Sequence, residues 1–358
     1  MRIFDRYLIR EFIGPFVFCV SGFTVVLLAG LLFQLTDLIF VNEVAVFTVS
    51  KMLLYRIPGT AVMTLPIATL FATLLAIGRL VQDNEMTVLR CSGVSFPRLV
   101  VPVLVLGIII SGLTFWASDH LVPLANHKFE TILRQIVFSD GVPVVQENVF
   151  FHGGEDRYFY IGEVDTKTNE LQKVLVYELG GENFPSITSA QTGIFQDHTW
   201  VLMDGVYQEL DEEGFVQFES RFQRMEIITE QEGEVYLGNQ RTVDEMNRKE
   251  LREHIERFQR GGLKVLSFVV DYHLKLAMPM ASFVFALFAA PLTLLGKGGR
   301  SFGVVLSLAI LLFYYVAISV SRSMGINEML PPVVAAWLVN TLFAIFGFAF
   351  LVRSDRLR

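Results

Sequence analysis

Long stretches without charged side chains recur along this chain and indicate its architecture. Six windows free of Asp, Glu, Lys and Arg are at least 20 residues long, at positions 12–36, 57–78, 99–118, 276–296, 301–321 and 329–352. A helix needs about 20 residues to cross a hydrocarbon core of roughly 30 Å. Helices of soluble proteins rarely reach that length without a charge, because one face meets water. The windows therefore predict six membrane-spanning helices.

The segment between the third and fourth windows follows a different pattern, in which apolar and polar residues alternate. Stretches rich in β-branched and aromatic residues are separated by Gly, Asp and Asn clusters, as is typical of strands and turns. The expected strands lie at 147–152, 157–162, 172–177, 199–203 and 215–219. Asp204-Gly205 would suit a tight hairpin turn. Short strands with polar turns predict an antiparallel sandwich or jellyroll.

Together the two patterns predict an α-helical integral membrane protein with an inserted all-β, jellyroll-like domain. Residues 1–118 would hold the first three spans, residues 119–264 the inserted domain, and residues 265–358 the last three spans. The plan is therefore three spans, one large polar domain and three spans.

A helix is expected where the insert ends. Thr242 and Glu245 have the spacing of a capping box, in which a hydroxyl and a carboxylate satisfy backbone N–H groups reciprocally. Gly261-Gly262 would end the helix. Between them lies a thin apolar stripe at helical spacing: Leu251, Ile255 and Phe258. This helix is either a connector on the surface of the domain or membrane, or a binding site for a specific partner.

Composition and charge agree with this plan. The chain is 53% hydrophobic with a mean hydropathy of +0.49, and 18% of its residues are charged, whereas soluble domains contain about a quarter. Residues 121–264 hold 26 acidic and 14 basic side chains, a net charge of −12; the remainder holds 10 and 15, or +5. A basic nucleic-acid surface is excluded. Cys19 and Cys91 both lie outside the insert, which therefore folds without an internal disulfide.

Lysine and arginine are unequally distributed between the two sets of connections. If the N-terminus is cytoplasmic, the short cytoplasmic segments hold eleven of them: Arg2, Arg6, Arg10, Arg79, Arg90, Arg98, Lys297, Arg300, Arg353, Arg356 and Arg358. The short external segments and helix ends hold four: Lys51, Arg56, Lys275 and Arg322. The positive-inside bias then places both termini in the cytoplasm and the acidic insert outside.

The sequence contains no motif for catalysis, and no cofactor or metal site is predicted. It has no G-x-x-x-x-G-K-[ST] loop, no G-x-S-x-G and no Cys or His cluster with metal-ligand spacing. Residues 295–301, Leu-Gly-Lys-Gly-Gly-Arg-Ser, resemble a phosphate loop only in their glycines and follow a span rather than a strand. We interpret them as a short positive turn. If the protein uses ATP, another chain must hydrolyse it.

The connection between the second and third spans is longer than a turn requires. Residues 82–95 supply a further helix, which Asp83 or Asn84 could cap and Gly93 would end. Glu85 in its first turn suits the helix dipole, and apolar residues follow it. Such a helix can dock into the groove of a soluble partner, or it can lie in the lipid headgroups. The residues alone leave both interpretations open.

Three cations lie near the opposite ends of the spans: Lys51, Arg56 and Lys275. They can snorkel to phospholipid headgroups, as Lys and Arg commonly do near helix ends. They can also form a basic collar for an anionic lipid. Lys275 lies four residues after Asp271, so these two side chains can simply pair.

Several motifs occur in order along the chain: Arg6-Tyr-Leu-Ile-Arg-Glu11, Asn84-Glu-Met-Thr-Val-Leu-Arg-Cys-Ser-Gly93, Asp271-Tyr-His-Leu-Lys-Leu-Ala-Met-Pro279, Gly298-Gly-Arg-Ser-Phe-Gly303, Leu312-Phe-Tyr-Tyr315 and Pro331-Pro-Val-Val-Ala-Ala-Trp337. Together they resemble the lipopolysaccharide-export permeases, the Lpt F and G subunits of a bacterial ABC transporter. The plan of that family, three spans, a β-jellyroll and three spans, covers the whole chain.

The resemblance implies a function and a set of partners. Two permease subunits form a cavity open towards the outer leaflet of the inner membrane, and a dimeric ABC ATPase binds on the cytoplasmic side. The helix at 82–95 is then the coupling helix, with four candidate contacts to the ATPase: Asp83, Glu85, Met86 and Arg90. Lipopolysaccharide enters beside the first span and is pushed to the periplasmic jellyroll, which joins a bridge protein. The chain itself is then not an enzyme.

A phosphorylated, multi-acyl lipid needs an apolar cavity and cations at the outer interface. Leucines and the 32 phenylalanines could line the cavity, and Lys51, Arg56 and Lys275 could bind phosphate. The family also places basic residues around the outer end of the first span, where this chain reads Asp37-Leu-Ile-Phe-Val41. A phosphate contact at that place is therefore expected only from the partner subunit. The sequence does not distinguish F from G.

Two other classes of function fit parts of the pattern. A membrane-anchored sensor or scaffold would bind a partner through its β domain without moving any cargo. ATP-dependent crosslinks between the β domain and lipopolysaccharide would exclude it. An ion-coupled transporter is disfavoured, because such proteins usually keep ionisable residues in mid-membrane and the six windows contain no Asp, Glu, Lys or Arg.

Overall fold

The architecture is taken from a computed structural model that describes residues 2–40, 44–138, 149–152, 157–165, 170–178, 186–196, 199–211, 216–228, 241–260, 265–294 and 300–354. The chain divides into two compact units. The helical unit comprises Met1–Asn126, Asn247–Ile255 and Lys264–Arg358. The sheet unit comprises His127–Met246 and Glu256–Leu263.

The predicted membrane spans are present as helices. The α-helices of the described residues are α1 (Arg2–Phe40), α2 (Val46–Gln82), α3 (Glu85–Cys91), α4 (Phe96–Trp116), α5 (Val122–Phe138), α6 (Arg248–Arg260), α7 (Leu266–Leu292), α8 (Arg300–Ile326) and α9 (Pro332–Ser354). Within the part of the chain that the structure describes, six helical segments are long and apolar enough to cross a membrane: Ile3–Thr36, Val46–Gln82, Phe96–Arg134, Leu266–Leu292, Gly303–Ile326 and Pro332–Ser354. Each overlaps one charge-free window, so the prediction of six spans is confirmed.

The helical unit is packed around α2 and α7. In the most apolar window of each helix, 61% of the residues are buried in α2 and 67% in α7, against 11% in α1 and 17% in α8. Small residues allow close contact with α7, as is common between membrane helices. A Cβ added at Gly107 of α4 would lie 3.0 Å from Ala286 Cβ, and one at Gly347 of α9 would lie 2.9 Å from Phe288 Cα.

Buried polar side chains connect the last three spans to one another. The Tyr314 hydroxyl on α8 donates to Asn340 Oδ1 on α9 at 2.7 Å. Asn340 Nδ2 in turn donates to the carbonyl oxygen of Ala277 on α7 at 2.6 Å. An unsatisfied polar group in an apolar interior costs several kcal/mol, so these contacts fix the register of the three helices.

The helical path of the third span continues beyond its charge-free window. A π-helical turn, Ala117–Leu121, follows α4 directly, and α5 then extends to Phe138. The predicted boundary at residue 118 therefore falls within a continuous helix. The sequence pattern missed this extension because Asp119 and His120 end the apolar run while keeping helical backbone geometry.

The described residues of the sheet unit form six antiparallel strands in one sheet with sequential order: β1 (Val149–His152), β2 (Arg157–Asp165), β3 (Glu170–Glu178), β4 (Ser186–Gln196), β5 (Thr199–Leu210) and β6 (Val216–Ile228). Its core is a cluster of buried residues: Phe159, Ile161, Leu171, Val174, Val176, Ala190, Trp200 and Leu202. The prediction of an inserted antiparallel β domain is confirmed, and α5 and α6 occupy the two ends of the insert. The sequence missed β4, because its buried positions include the small polar residues Ser186 and Thr188.

The predicted hairpin turn at Asp204-Gly205 is wrong, because both residues lie inside β5. Gly205 pairs with Ala190 of β4 and with Phe222 of β6, while Asp204 has a φ of 49°. A Cβ at Gly205 would lie 2.2 Å from Phe222 Cζ and 2.4 Å from the Ser189 carbonyl oxygen. The glycine is thus required for close approach of neighbouring strands, not for reversal of the chain.

The predicted capping box at the end of the insert is formed, but it caps a short turn. Thr242 precedes the 3-10 turn Val243–Glu245, whose last residue is Glu245, and the Thr242 N–H donates to Glu245 Oε1 at 2.9 Å. Helix α6 begins three residues later, where Asn247 and Glu250 exchange a second pair of reciprocal bonds, each 2.9 Å long. The predicted apolar stripe of α6 is buried: Leu251, Ile255 and Phe258.

Glu245 also forms the most buried ion pair among the described residues of the sheet unit. Its carboxylate is fully buried and accepts from Arg134 Nη2 at 2.6 Å and from His127 Nδ1 at 3.0 Å. The Arg134 side chain is 12% exposed. One carboxylate therefore joins the end of α5 to the turn that precedes α6.

Some predicted features lie outside the described residues. They are the helix-ending Gly261-Gly262, positions 295–299 of the glycine-rich turn, and parts of the Gly, Asp and Asn clusters that separate the predicted strands, at 153–154, 166–169, 180–181, 197–198 and 212–214. The side chains at 37–39 and residue 41, where the first span departs from the family pattern, lie outside them as well.

Candidate functional site

The predicted helix between the second and third spans is present as α3. It runs from Glu85 to Cys91, and Gly93, with a φ of 88°, lies in the left-handed conformation that ends helices. The predicted side-chain cap is wrong. Asn84 precedes the helix with a φ of 59° and forms no side-chain bond to it, while Asp83 ends α2. The left-handed Asn84 instead reverses the chain between the two helices.

Met86 anchors α3 from the inside. It is 1% exposed and belongs to the core cluster of the helical unit, which also contains Leu8 and Phe12 of α1 and Phe96 of α4. The structure therefore gives this side chain a packing role, and its contact with the ATPase stays a prediction. The outward face of α3 is formed by other residues, and Val88 on that face is 65% exposed.

Glu85 contacts α1. The Tyr7 hydroxyl donates to Glu85 Oε1 at 3.1 Å, and Glu85 itself remains half-buried. A carboxylate has two oxygens and about four acceptor positions, so one phenol leaves most of them open to a partner.

Asp83 is linked to α1 through Arg79. Arg79, in the last turn of α2, forms an ion pair with Glu11 of α1, and its Nε lies 3.5 Å from Asp83 Oδ2. Arg90, the remaining predicted contact, donates from Nη2 to the Ser354 carbonyl oxygen at the end of α9, at 3.3 Å. The structure thus brings Asp83 and Glu85 together with α1, and Arg90 together with α9.

Sequence reasoning missed Tyr7, Glu11 and Arg79 as partners of the α3 segment. Tyr7 and Glu11 belong to the motif Arg6-Tyr-Leu-Ile-Arg-Glu11 before the first span, and Arg79 stands immediately before residues 82–95. Their polar character so close to an apolar window was a signal. Nothing in the sequence, however, shows that two segments about 75 positions apart meet.

At the other end of the spans, the predicted cations have separate surroundings. Lys51 on α2 is exposed, with its Nζ 6.0 Å from the Tyr55 ring centroid. Arg56 donates from Nη1 to Asn126 Oδ1 at 3.2 Å, and Asn126 is 5% exposed. Arg56 lies five positions after Lys51, so the two side chains project about 140° apart around α2. Lys275 lies half-buried on α7.

A further cation at this end was not predicted. Arg248, the first residue of α6, has its backbone N–H bonded to Asp119 Oδ1 at 2.9 Å. Its guanidinium lies 5.0 Å from the Tyr272 ring centroid and 5.7 Å from that of Phe115, and it donates to the Tyr272 hydroxyl at 3.2 Å. The sequence showed Arg248 only as part of a connector, because its aromatic partners come from two different spans.

Asp271 has a partner on a neighbouring helix. Arg322 of α8 donates from Nε and Nη2 to the two Asp271 carboxylate oxygens, at 2.7 and 2.8 Å. A bidentate pair of this kind is geometrically specific and joins α7 to α8. Within the ranges that the structure describes, no three His, Cys, Asp or Glu side chains lie together as a metal site would require.

Comparison with known proteins gives a match over nearly the whole chain. A family model described as "Lipopolysaccharide export system permease LptF/LptG" matches residues 6–353. A curated relative, "Uncharacterized protein RP871" of Rickettsia prowazekii (strain Madrid E), is 21% identical over 218 residues. That alignment covers 60% of each chain.

Proposed function

Because this chain belongs to the lipopolysaccharide export permease LptF/LptG family, we propose that it couples ATP hydrolysis by a separate ATPase to the extraction of lipopolysaccharide from the inner membrane. Members of this family are permease subunits, not enzymes, and they work within a complex that contains the ATPase. The chain is accordingly a multi-pass inner-membrane protein. In the proposed assembly it pairs with a second permease subunit and passes lipid to a periplasmic bridge protein.

The observation that carries this proposal is the construction of α3. Buried Met86 anchors the helix in the core of the helical unit, whereas its outward face presents exposed Val88 beside half-buried Glu85. An apolar residue next to an acid on a short, firmly anchored helix suits a groove in a soluble partner. A helix that merely lay in the headgroups would need no anchor in the protein core.

The proposed orientation follows from charge. Both termini and α3 lie in the cytoplasm, and the sheet unit lies in the periplasm, because the eleven cations of the short connections then obey the positive-inside bias. The ATPase accordingly meets α3 with Glu85 and Asp83, while the lipid phosphates meet the other end of the spans.

We expect Glu85→Lys to weaken binding of the ATPase by at least about tenfold, because a charge-assisted contact contributes roughly 1.5–3 kcal/mol. The measurement is the amount of ATPase that co-purifies with the chain, together with ATP-dependent lipopolysaccharide crosslinks to the sheet unit. Glu328→Lys is the matched control, since it makes the same charge change in the connection between α8 and α9. Normal ATPase recovery and normal crosslinking with Glu85→Lys would contradict the proposal. ATPase binding without any lipid crosslink in the unsubstituted protein would favour a scaffold.

Lys51 and Arg56 are proposed to bind phosphate at the outer interface, with Lys275 as a third cation. Replacing Lys51 and Arg56 together by glutamine should lower lipid-stimulated ATP turnover about tenfold, because hydrogen bonds to charged groups contribute about 1.5–3 kcal/mol. Lys249→Gln on α6, where the side chain is 88% exposed, is the control and should leave turnover unchanged. Unaltered turnover in the double variant would assign Lys51 and Arg56 to ordinary headgroup contacts.

A further inference from the structure

We propose that Tyr7 and Arg79 are positioning residues: Tyr7 fastens α3, and Arg79 fastens the end of α2 that leads into α3, to the N-terminal end of α1, so that a movement of α3 is passed to α1. This inference rests on the proposed function, in which an ATPase binds α3. It adds a route by which that binding reaches the first span. The route consists of two polar contacts, one apolar contact and a hinge.

The polar contacts involve Glu85, the first residue of α3, and Asp83, which ends α2 just before the chain reverses at Asn84. Tyr7 binds Glu85 Oε1 at 3.1 Å, and Arg79 pairs with Glu11 while its Nε lies 3.5 Å from Asp83. Tyr7 and Glu11 are four residues apart and therefore lie on one face of α1. One face of α1 thus contacts Glu85 of α3 directly and, through Arg79, the C-terminal end of α2 at Asp83.

The apolar contact lies beside these bonds. Met86 of α3 shares a core cluster with Leu8 and Phe12 of α1, and all three side chains are at most 1% exposed. Close-packed side chains transmit displacement because they leave no space in which to yield. The segment from Tyr7 to Phe12 is therefore held by α3 and the end of α2 through both polar bonds and packed apolar side chains.

Beyond this segment α1 packs on α2 along one face, where the Phe23 and Phe71 ring centroids lie 5.4 Å apart and the Thr24 and Thr64 hydroxyls 3.3 Å apart, while most of its surface is not buried. Pro15 lies inside the helix and has no N–H to donate to the Glu11 carbonyl, which weakens the helix just above the gripped turn. In the apolar window of α1 11% of the residues are buried, and a Cβ added at Gly22 or Gly30 would meet nothing within 4 Å. An end held by α3 and by the end of α2, followed by a proline and by a helix with most of its surface exposed, is the geometry of a lever.

These polar contacts contribute little to the stability of the fold. Arg79 is 40% exposed and Asp83 50%, and exposed ion pairs of this kind contribute little to stability. A purely structural role therefore predicts almost no effect of their removal. A positioning role predicts normal folding and ATPase binding, with loss of transport per ATP.

The test compares Tyr7→Phe, Arg79→Gln and the double variant in the full complex with the ATPase and the second permease subunit, reconstituted into lipid vesicles. Lipopolysaccharide released per ATP hydrolysed should fall roughly fivefold to tenfold in the double variant. ATPase recovery and thermal stability should match those of the unsubstituted protein. Tyr315→Phe on α8 removes a hydroxyl from another span and should leave the ratio unchanged.

A distance measurement makes the test independent of transport. Spin labels at Phe33 of α1 and Phe348 of α9, which are 82% and 61% exposed, should report a distance change on ATP binding, with exposed Cys91 replaced by serine. The change should shrink in the double variant. If the unsubstituted complex neither binds the ATPase nor releases lipid, the proposed function fails. If it does both while the double variant keeps the normal ratio and distance change, only the lever is overturned.

Discussion

Replacing Glu245 by alanine should destabilise the sheet unit by about 3–5 kcal/mol, because removal of one partner of a buried ion pair leaves the other without compensation. The Glu245 carboxylate is fully buried and binds Arg134, His127 and the Thr242 N–H. Without it, the Arg134 guanidinium, 12% exposed, keeps its charge in a poorly hydrated place. We expect the segment between 127 and 246 to become sensitive to protease at lower denaturant concentration, which pulse proteolysis measures.

The chain provides a matched control for this experiment. Arg224 Nη2 lies 2.6 Å from Glu226 Oε1, the same distance as between Arg134 and Glu245, but the two side chains are 65% and 51% exposed. Glu226→Ala should therefore cost less than about 1 kcal/mol. Glu245→Gln separates the two roles of Glu245, because an amide oxygen can still accept from Thr242 but carries no charge. Equal losses from Glu245→Ala and Glu226→Ala would show that burial of the pair contributes nothing.

Gly347→Ala should destabilise the helical unit by about 1–3 kcal/mol, because the added methyl group would overlap the backbone of α7. The new Cβ would lie 2.9 Å from Phe288 Cα, 3.0 Å from Phe288 N and 3.1 Å from the carbonyl carbon of Leu287. Backbone atoms cannot rotate away as a side chain can, so α9 must shift as a whole. The measurement is the thermal midpoint of the purified protein in one detergent.

Gly112 of α4 is the matched control, because it is also helical and a Cβ there would meet nothing within 4 Å. Gly112→Ala should be neutral or stabilise by up to about 1 kcal/mol through helix propensity. A thermal midpoint of Gly347→Ala at or above that of Gly112→Ala would mean that α9 and α7 can separate without cost. The close contact would then not determine how these spans pack.

The spans could be predicted because the signal is carried by each segment alone. A charge-free run of 20 or more residues can be recognised as a membrane span from its length and composition, without knowing which helices it contacts. The same holds for most strands of the insert, where alternation of side chains reflects one buried and one exposed face. Strand β4 departs from this rule because Ser186, Thr188 and Ala190 fill its buried face. These small residues fill the buried face, so the strand lacks the alternation of apolar and polar residues that marks the others.

The candidate site was predicted in part. Residues 82–95 were identified as a helix with an acid in its first turn, and α3 has that acid at Glu85. The direction of each side chain was not predictable, because a seven-residue helix has no periodicity long enough to show which face is buried. The structure shows that Met86 is buried in the core and that Val88 is exposed.

By itself the sequence determined the number of spans, their separation by an all-β insert and the position of α3, since local composition and period decide which segments avoid water. Only the tertiary structure decided that Tyr7 holds α3 and Glu11 holds Arg79, that Glu245 is buried with Arg134, and that Gly205 lies within a strand. Each of these depends on two segments far apart in the chain meeting within a few ångströms. Such contacts leave no periodic trace in either segment, because each partner needs only one position of suitable chemistry or size.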